Sequence, residues 1–290
     1  MTNHIVFKNP KALNPSVVCR IIIHGGQFHA DDLLAVLIAL MMYGTVQVFR
    51  VFKVDESLLE FDDGPVFVVD IGKKYDGKVW FDHHQEIDLY EDGVKPCGAS
   101  LFAQAVLPSD LYDYFYSRIL RPVAVQDNGQ AELFAQYPNL LFGWVHSMNP
   151  LWDSVDTPDE AFRKAVELGL PIFQQVLATL VSTNKAESVW EKVEELEDGK
   201  ILVLPQYIPW QEKAVKKENA LFVVHPSNRG GFMVQCVPPS MEKWTLQRQS
   251  LPAEWTSEGA PAGCTFCHTG RFCASFETQE QAVEALKAIL

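Results

Sequence analysis

Apolar residues in the first half of the chain come in short runs, and several of those runs stop on an ionisable residue. Val17–Ile23 (VVCRIII) is rich in β-branched side chains and halts at His24-Gly25-Gly26. Val66–Val69 halts at Asp70, and Val79–Phe81 at Asp82-His83-His84. Apolar runs this short, bounded by turn residues, read as buried strands. Leu33–Tyr43 (LLAVLIALMMY) is apolar nearly all round, the mark of a helix enclosed by core. Asp31 and Asp32 stand at its start, where acids suit the positive end of the helix dipole. Val46–Val51 then reads as another strand. Strand, helix, strand in this order is a βαβ unit, which predicts a parallel sheet with helices on both faces. Residues 1–16 read as an extended, Pro-punctuated lead-in.

Further along, Gly98–Val106 and Asp110–Leu120 have helical patterns. In Arg121–Gly129, Pro122 either opens a new helix or breaks the old one, and Asn128-Gly129 marks a turn. Thr157-Pro158-Asp159-Glu160 is a capping box with Pro at the first helical position. Phe162, Val166 and Leu170 continue it as an amphipathic helix towards Glu195, with Glu187–Glu197 as its solvated face. The character changes at Asp198-Gly199. Short strands are predicted at Ile201–Leu204, Leu221–Val224, Phe232–Val237, Thr265–Cys267 and Arg271–Ser275, with helices around Trp210–Lys217 and Thr278–Leu290. The fold class is therefore α/β: a parallel-sheet domain over residues 1–195 and a smaller mixed α+β domain over 196–290, divided near 190–200.

Length agrees with this division, since 290 residues is long for a single core. A formal net charge of −13 argues against a broad basic face for gripping duplex nucleic acid. No basic segment followed by an apolar one opens the chain, and no window offers the roughly 18 apolar residues needed to span a bilayer. The six cysteines, at 19, 97, 236, 264, 267 and 273, are scattered and read as reduced thiols of a cytoplasmic protein. Cys264-Thr265-Phe266-Cys267-His268 matches the CxxCH haem-attachment pattern. That chemistry belongs to exported proteins, and this copy lies in a strand-like stretch without an evident distal ligand, so no haem is expected.

The candidate chemistry lies at the strand ends. Ligands of open α/β sheets bind just beyond the carboxyl ends of the strands. His24 with His29 and Asp31, then Asp70, then Asp82-His83-His84 fall after three such strands, and Asp127 ends a further apolar run. So many like charges converging on one crevice would repel, and divalent cations would remove that cost. His nitrogen mixed with Asp oxygen, with no cysteine pair nearby, favours Mn²⁺ or Mg²⁺, with Zn²⁺ or Co²⁺ as replacements. The candidate ligands exceed what one catalytic ion needs, so two ions are expected, with Asp70 as a bridge. Paired ions support phosphoryl transfer. Asp82 is then expected to orient the neighbouring His83. His84 is left to meet the substrate or protonate the leaving oxygen. Asp82 and His84 are thus the candidate catalytic pair.

Asp82-His83-His84 with the upstream Asp70 resembles the DHH phosphoesterase superfamily of exopolyphosphatases, manganese pyrophosphatases and RecJ-type exonucleases. Within it, IHGGQFHADDLLA, VFVVDIGKKYD, WFDHHQ and VQDNG are similar to the melanocyte-proliferating-gene (Myg) family of metal-dependent 3′–5′ RNA exonucleases. HPSNRGGFMVQCVP, QRQSLPAEW and PAGCTFCHTGRF extend the likeness through the second half. The resemblance implies a DHH-type N-terminal domain in which His24, His29, Asp31, Asp70, His83 and Asp127 hold two divalent ions and His84 touches phosphate. Arg229, Arg248 and His268 lie in stretches matching the family's substrate-binding domain, and Arg pairs bidentately with phosphate. His29-Ala30-Asp31 stands where the superfamily usually has Asp-x-Asp, which exchanges an oxygen ligand for nitrogen. The GGGH substrate loop of RecJ-like members is absent. The expected activity is a cytoplasmic Mn²⁺-dependent phosphodiesterase, a 3′–5′ exonuclease on single-stranded RNA or short oligonucleotides, with no membrane partner. An acidic chain favours short substrates, and Trp244 and Trp255 read first as buried core, with base stacking as the alternative. The alternatives are a hydrolase of small phosphoesters, dinucleotides or polyphosphate, and a catalytically idle binding module on the same fold. The intact set of polar ligands speaks against the last.

Overall fold

In the first half of the chain the apolar runs become β1 (Ile5–Lys8), β2 (Asn14–His24), β3 (Tyr43–Val51), β4 (Val66–Val69) and β5 (Trp80–Phe81). In the computed structural model they form one sheet in the order β1-β3-β2-β4-β5. The structure describes residues 4–85, 89–137 and 140–290, and of 140–142, 180 and 184 the backbone alone. The chain divides into two compact units, Met1–Leu180 and Val181–Leu290.

In the first unit, β2 pairs in parallel with β3 and β4, and β4 in parallel with β5. The expected lead-in contains β1, which adds to β3 antiparallel, Ile5 opposite Val48. Side chains alternate between the two faces, as the pleat requires. Cys19, Ile21, Ile23, Val46, Val48, Phe67 and Val69 join a large core with helix α1 (Ala30–Met42), every residue of which is buried. The same core takes in α2 (Gly98–Val106), α3 (Ser109–Phe115), a π-turn at Tyr116–Leu120, α4 (Arg121–Asp127), α5 (Leu140–Met148) and the first half of α6 (Pro158–Lys185). The opposite face carries Ile22, Phe49, Val51 and Val68, covered by Leu58 and Leu59 of a 3₁₀ turn at Glu56–Leu59. The expectation of helices on both faces is corrected here. Among the described residues that second face buries so few side chains that a single turn and its flanking loops suffice. Pro122 is the second residue of α4, directly after the π-turn, where the widened backbone accommodates its missing N–H.

The expectation that no stretch is apolar enough to span a bilayer is corrected: helix α6 runs on with α7 (Glu187–Trp190), and together they are long and apolar enough, by length and composition, to cross a membrane. Ala161, Phe162, Ala165, Val166 and Phe173 of α6 are spent on the core of the first unit.

The second unit is a six-stranded sheet. Its strands are β6 (Glu194–Leu196), β7 (Ile201–Val203), β8 (Phe222–Pro226), β9 (Phe232–Cys236), β10 (Cys264–Cys267) and β11 (Cys273–Phe276), with α8 (Gln211–Val215) and α9 (Gln279–Lys287). The order is β10-β11-β9-β8-β7-β6, antiparallel except between β7 and β8. One face buries Phe222, Val224, Leu251, Phe276 and Leu286, and the other Leu202, Trp210 and Val223. The solvated helix expected over Glu187–Glu197 is corrected. Helix α7 stops at Trp190, and Glu194–Leu196 forms an edge strand facing β7 across a turn in which Glu197, Asp198 and Gly199 all take positive φ. Glutamates suit that position because charge on an edge strand discourages pairing with other chains.

Candidate metal centre

Parallel pairing brings the carboxyl ends of β2, β4 and β5 to one edge of the sheet. His24 is the last residue of β2, Asp70 follows β4, and Asp82-His83-His84 follows β5. The start of α1 meets them with His29 at its N-cap and Asp31 and Asp32 in its first turn, and α4 delivers Asp127. Asp70 holds a left-handed backbone with φ 58°, a conformation that short polar side chains tolerate and that clusters at functional sites. Its N–H donates to the Phe81 carbonyl at 3.1 Å, so the strained residue is locked to β5.

Asp70 is the hub. Its Oδ1 lies 3.0 Å from His83 Nε2 and 3.6 Å from His84 Nδ1, and its Oδ2 lies 3.5 Å from His24 Nε2. On one side His24 Nε2 also meets Asp32 Oδ2 at 2.7 Å, and that carboxylate accepts the His29 N–H at 2.9 Å. On the other side His83 Nε2 meets Asp127 Oδ2 at 3.1 Å. Two sets of side chains able to hold a metal ion result, each with its ligand atoms within 4.8 Å of one another: His24, His29, Asp32 and Asp70, then Asp31, Asp70, His83 and Asp127. Asp70 belongs to both. A third set, Asp70, His83 and His84, overlaps the second. A cavity of about 450 Å³ opens over them, lined by His24, His29, Asp70, His83, His84, Gln126 and Asp127. A larger groove of about 760 Å³ among α1, α5 and α6 is lined almost wholly by apolar side chains and offers no comparable ligands.

Each inward imidazole is oriented from behind. His24 Nδ1 faces the Gly25 carbonyl at 3.0 Å, and His83 Nδ1 faces Asn128 Oδ1 at 3.3 Å, which leaves both Nε2 atoms for the centre. Asn128 is itself fixed, since its Nδ2 donates to the carbonyls of Ala124 at 2.9 Å and Pro96 at 3.0 Å. The expectation that Asp82 orients His83 is corrected. Asp82 folds back over its own chain, its Oδ1 taking the His84 N–H and His84 Nδ1, both at 2.8 Å, and its Oδ2 the Lys73 N–H at 2.7 Å. Asp82 therefore holds His84, whose side chain is 55% exposed at the mouth of the cavity.

The electrostatics are those of a site short of positive charge. Burial, then Asp127 and Asp70, push the Asp31 carboxyl well above the usual range, and burial raises Asp70 as well. Burial opposes charge on His83, but hydrogen bonds to Asp127 and Asp70 outweigh it and raise the imidazole to about 11. His24 is likewise raised to about 9, its burial outweighed chiefly by Asp32. Burial of Asp82 is outweighed by the two backbone donors and His84, so its carboxyl is held low and ionised. Two buried oxygens, Asp31 Oδ2 and Asp32 Oδ1, have no hydrogen-bond partner. Unsatisfied buried acceptors of this kind cost about 1–3 kcal/mol each, and a divalent cation in each set would relieve them. The donor set, His nitrogen and carboxylate oxygen only, fits such an ion.

Of the six residues expected to hold metal, His24, His29, Asp70, His83 and Asp127 line the cavity, and Asp31 is buried within the set it forms with Asp70, His83 and Asp127. Sequence reasoning missed Asp32, Asn128 and Gln126. In sequence Asp32 suits the helix dipole and Asn128 a turn, and their patterns carry no further signal. The expected phosphate contacts of the second unit stand as follows. Arg229 lies in the turn between β8 and β9 and is exposed. Arg248 donates Nη1 to the carbonyls of Lys217, Glu218 and Ala220 and Nη2 to that of Val215, which ties its guanidinium to the end of α8. His268 Nδ1 accepts the Gly270 N–H at 2.9 Å, and its ring lies 4.3 Å from that of Phe272. Trp255 is buried in the core of its unit, whereas Trp244 is exposed.

Residues 20–290 match the model of the MYG1_exonuc family, described as an uncharacterised protein family (UPF0160). The MYG1 protein of Saccharomyces cerevisiae is 26% identical, over 96% of this chain and 97% of its own. That of Schizosaccharomyces pombe is 28% identical over 93% of this chain and 97% of its own, and that of Chlamydia muridarum 26% over 92% and 95%. No solved structure matches the chain.

Proposed function

From the premise that this chain belongs to the MYG1_exonuc family, a name that points to a nuclease-like hydrolase, we propose that it is a metal-dependent phosphodiesterase of the DHH type. It acts as a 3′–5′ exonuclease on single-stranded RNA or short oligonucleotides. The observation that carries the reading is Asp70, a single strained carboxylate common to two adjacent sets of ligands. His24, His29 and Asp32 complete one pocket, and Asp31, His83 and Asp127 the other. When bound, two divalent cations supply Lewis-acid activation of water and neutralise charge on the phosphoryl oxygens.

The chain's own residues do the rest. Asp82, ionised and buried, takes the proton-bearing Nδ1 of His84 and presents its Nε2 to the open cavity. There His84 contacts the phosphate and gives a proton to the leaving oxygen. Asn128 and the Gly25 carbonyl keep His83 and His24 turned inward through the cycle. The pocket with two imidazoles is the more nitrogen-rich, which suits Mn²⁺ and tolerates Zn²⁺ or Co²⁺, and the oxygen-rich pocket suits Mn²⁺ or Mg²⁺. Six unpaired cysteines are in keeping with a cytoplasmic setting. The net charge of −13 favours a short substrate with few phosphates engaged.

One observation favours a second reading, hydrolysis of dinucleotides or other small phosphoesters. Arg248, a candidate clamp for a longer strand, has its guanidinium committed to backbone carbonyls. Both readings are tested together. The purified chain with Mn²⁺ is offered RNA labelled at either end, single-stranded DNA, dinucleotides and pyrophosphate, beside an Asp70→Ala control. Stepwise loss from the 3′ end of RNA is the expected result. Turnover of the small molecules alone selects the second reading, and a wild type no more active than Asp70→Ala on every substrate refutes both.

A further inference from the structure

Both imidazoles of one pocket ride on a single loop, Gly25–Phe28, with His24 and His29 at its two ends. Among the described residues, backbone contacts hold only its first residue, Gly25, whose N–H donates to the Val51 carbonyl at 2.8 Å. The loop begins with two glycines, the second at φ 87°, and such residues have the most conformational freedom to lose. His29 itself is exposed.

Two side chains from elsewhere hold the loop. Asn149, just beyond α5, lies against Phe28 as a neighbouring strand would. The Phe28 N–H donates to Asn149 Oδ1 at 2.9 Å, and Asn149 Nδ2 donates back to the Phe28 carbonyl at 2.8 Å. Phe28 immediately precedes His29, so this two-way bond fixes the approach to the N-cap of α1. At the other end Arg50 of β3 stands opposite Ile23 of β2, on the helix-covered face of the sheet. Its side chain is 1% exposed, and its Nη2 donates to the Gly26 carbonyl at 2.6 Å. Asp159 of α6 holds Nη1 at 2.5 Å, and the guanidinium lies over the Phe162 ring at 4.7 Å. A buried guanidinium without partners is costly, and here the partners comprise an acid, an aromatic face and a loop carbonyl. The second pocket is held by different groups: the Ala99 N–H, which donates to Asp31 Oδ1 at 2.7 Å, and Asn128 behind His83.

We infer that Arg50 and Asn149 are positioning residues that set the affinity of the His24/His29 pocket alone, by fixing the loop that carries both imidazoles. The inference rests on the two-ion reading of the centre. Neither residue touches an ion or a substrate. Groups that orient metal ligands from behind typically contribute about 10- to 100-fold in affinity.

The test is a Mn²⁺ titration of the full chain by calorimetry, followed by electron paramagnetic resonance. Wild type is expected to take two ions and show the spectrum of a coupled pair. In Asn149→Ala and in Arg50→Ala, one ion weakens by about 10- to 100-fold while the other keeps its affinity. The coupled spectrum gives way to that of isolated Mn²⁺ at concentrations that fill only the stronger site. Asn149→Asp and Arg50→Lys, which keep size and part of the bonding, should fall between wild type and the alanine variants. They also serve if an alanine variant does not fold. The unchanged second ion reports an intact fold. Wild-type affinity at both sites in all four variants overturns the inference, as does equal weakening of both ions. A wild type that binds no Mn²⁺ refutes the two-ion reading instead, and the inference with it.

Discussion

Asp31→Asn separates what the centre needs for binding from what the fold needs for stability. Asp31 is wholly buried, one oxygen accepts the Ala99 N–H at 2.7 Å, and the other has no well-formed hydrogen bond, the weakly donating Cys97 thiol being its nearby group. An asparagine retains the first bond through its carbonyl and places an amide donor where the orphaned oxygen now stands, beside Asp70 and Asp127. Without metal, the variant removes an unsatisfied buried acceptor and a like charge, a gain of about 1–3 kcal/mol. For a domain of this size each kcal/mol corresponds to about 2–4 °C, so melting in chelator should rise by about 2–12 °C. The pH dependence carries a sign. The folded state raises the Asp31 pKa through burial, Asp127 and Asp70, so the native protein binds more protons than the unfolded chain above about pH 3.8. Wild-type stability attributable to this group is therefore lost as pH rises from there. The advantage of the variant should accordingly be small near pH 4 and grow as pH rises through the raised Asp31 pKa. Mn²⁺ should reverse the order, because wild type gains about 2.7 kcal/mol at a hundredfold excess over its dissociation constant and the variant gains much less. Thermal unfolding by circular dichroism at two pH values, with chelator and with Mn²⁺, reads all of this. An Asn variant less stable than wild type in chelator, or one with an undiminished Mn²⁺ response, refutes the reasoning.

Metal affinity should climb steeply with pH. His24 and His83, raised to about 9 and about 11, carry protons at neutral pH that an ion must displace, and each proton released adds about a factor of ten per pH unit. The slope of log affinity against pH should ease above about 9, as His24 loses its proton unaided; a flat profile between pH 6 and 8 contradicts the protonated resting state. Gly98→Ala should lower both melting temperature and metal affinity, because a Cβ there would lie 2.9 Å from Asp31 Oδ2 and from the Asp70 nitrogen. Overpacking of this kind costs about 1–3 kcal/mol, and a variant with wild-type ion binding would show that α2 has room to withdraw. His84→Ala should cut kcat by about 10²- to 10⁴-fold while Mn²⁺ stoichiometry, measured by calorimetry, stays at the wild-type value. Loss of an ion in that variant would make His84 a ligand and not a proton donor.

The strand ends were legible because each buried run had to stop, and the residues that stopped it were ones a core does not keep. That logic located His24, Asp70 and His83 without any knowledge of pairing, parallel register then brought them to one edge, and the end of α4 adds Asp127. It failed where two neighbours differ only in direction. Asp82 lies beside both His83 and His84, and only the backbone turn, which carries its carboxylate to the residue two ahead, decides between them. Asp31 and Asp32 are adjacent on one helical turn and divide between the two pockets, a division fixed by how α1 meets β2. Arg50 reads in sequence as an ordinary strand residue, and its burial follows from long-range contacts with Phe162 and Asp159. Helix α5 lies in a stretch without clear caps, and the strands β1 and β6 exist because a partner strand offers an edge.

The protonation of the centre follows from its composition. Four carboxylates (Asp31, Asp32, Asp70 and Asp127) face two inward imidazoles, a combination that cannot be buried fully ionised without help. In the absence of metal the help comes from protons. One is held by His24 Nε2 against Asp32 at 2.7 Å, and another by His83 Nε2 against Asp70 and Asp127 at 3.0 and 3.1 Å. Those are the two atoms that the Nδ1 contacts of His24 and His83 leave pointing at the centre. The protons therefore occupy the same lone pairs an ion would use, one in each pocket, and proton and ion compete atom for atom. Two consequences distinguish this arrangement from a preformed site. Binding must release protons from both pockets, so the heat of Mn²⁺ binding will vary with the ionisation enthalpy of the buffer. The fold should also keep its structure when metal is removed, because the imidazolium–carboxylate contacts replace most of the charge balance. Asp31, which has an orphaned oxygen and, unlike Asp32, Asp70 and Asp127, no imidazole at contact distance among the described residues, is the residue whose neutralisation should stabilise the metal-free protein.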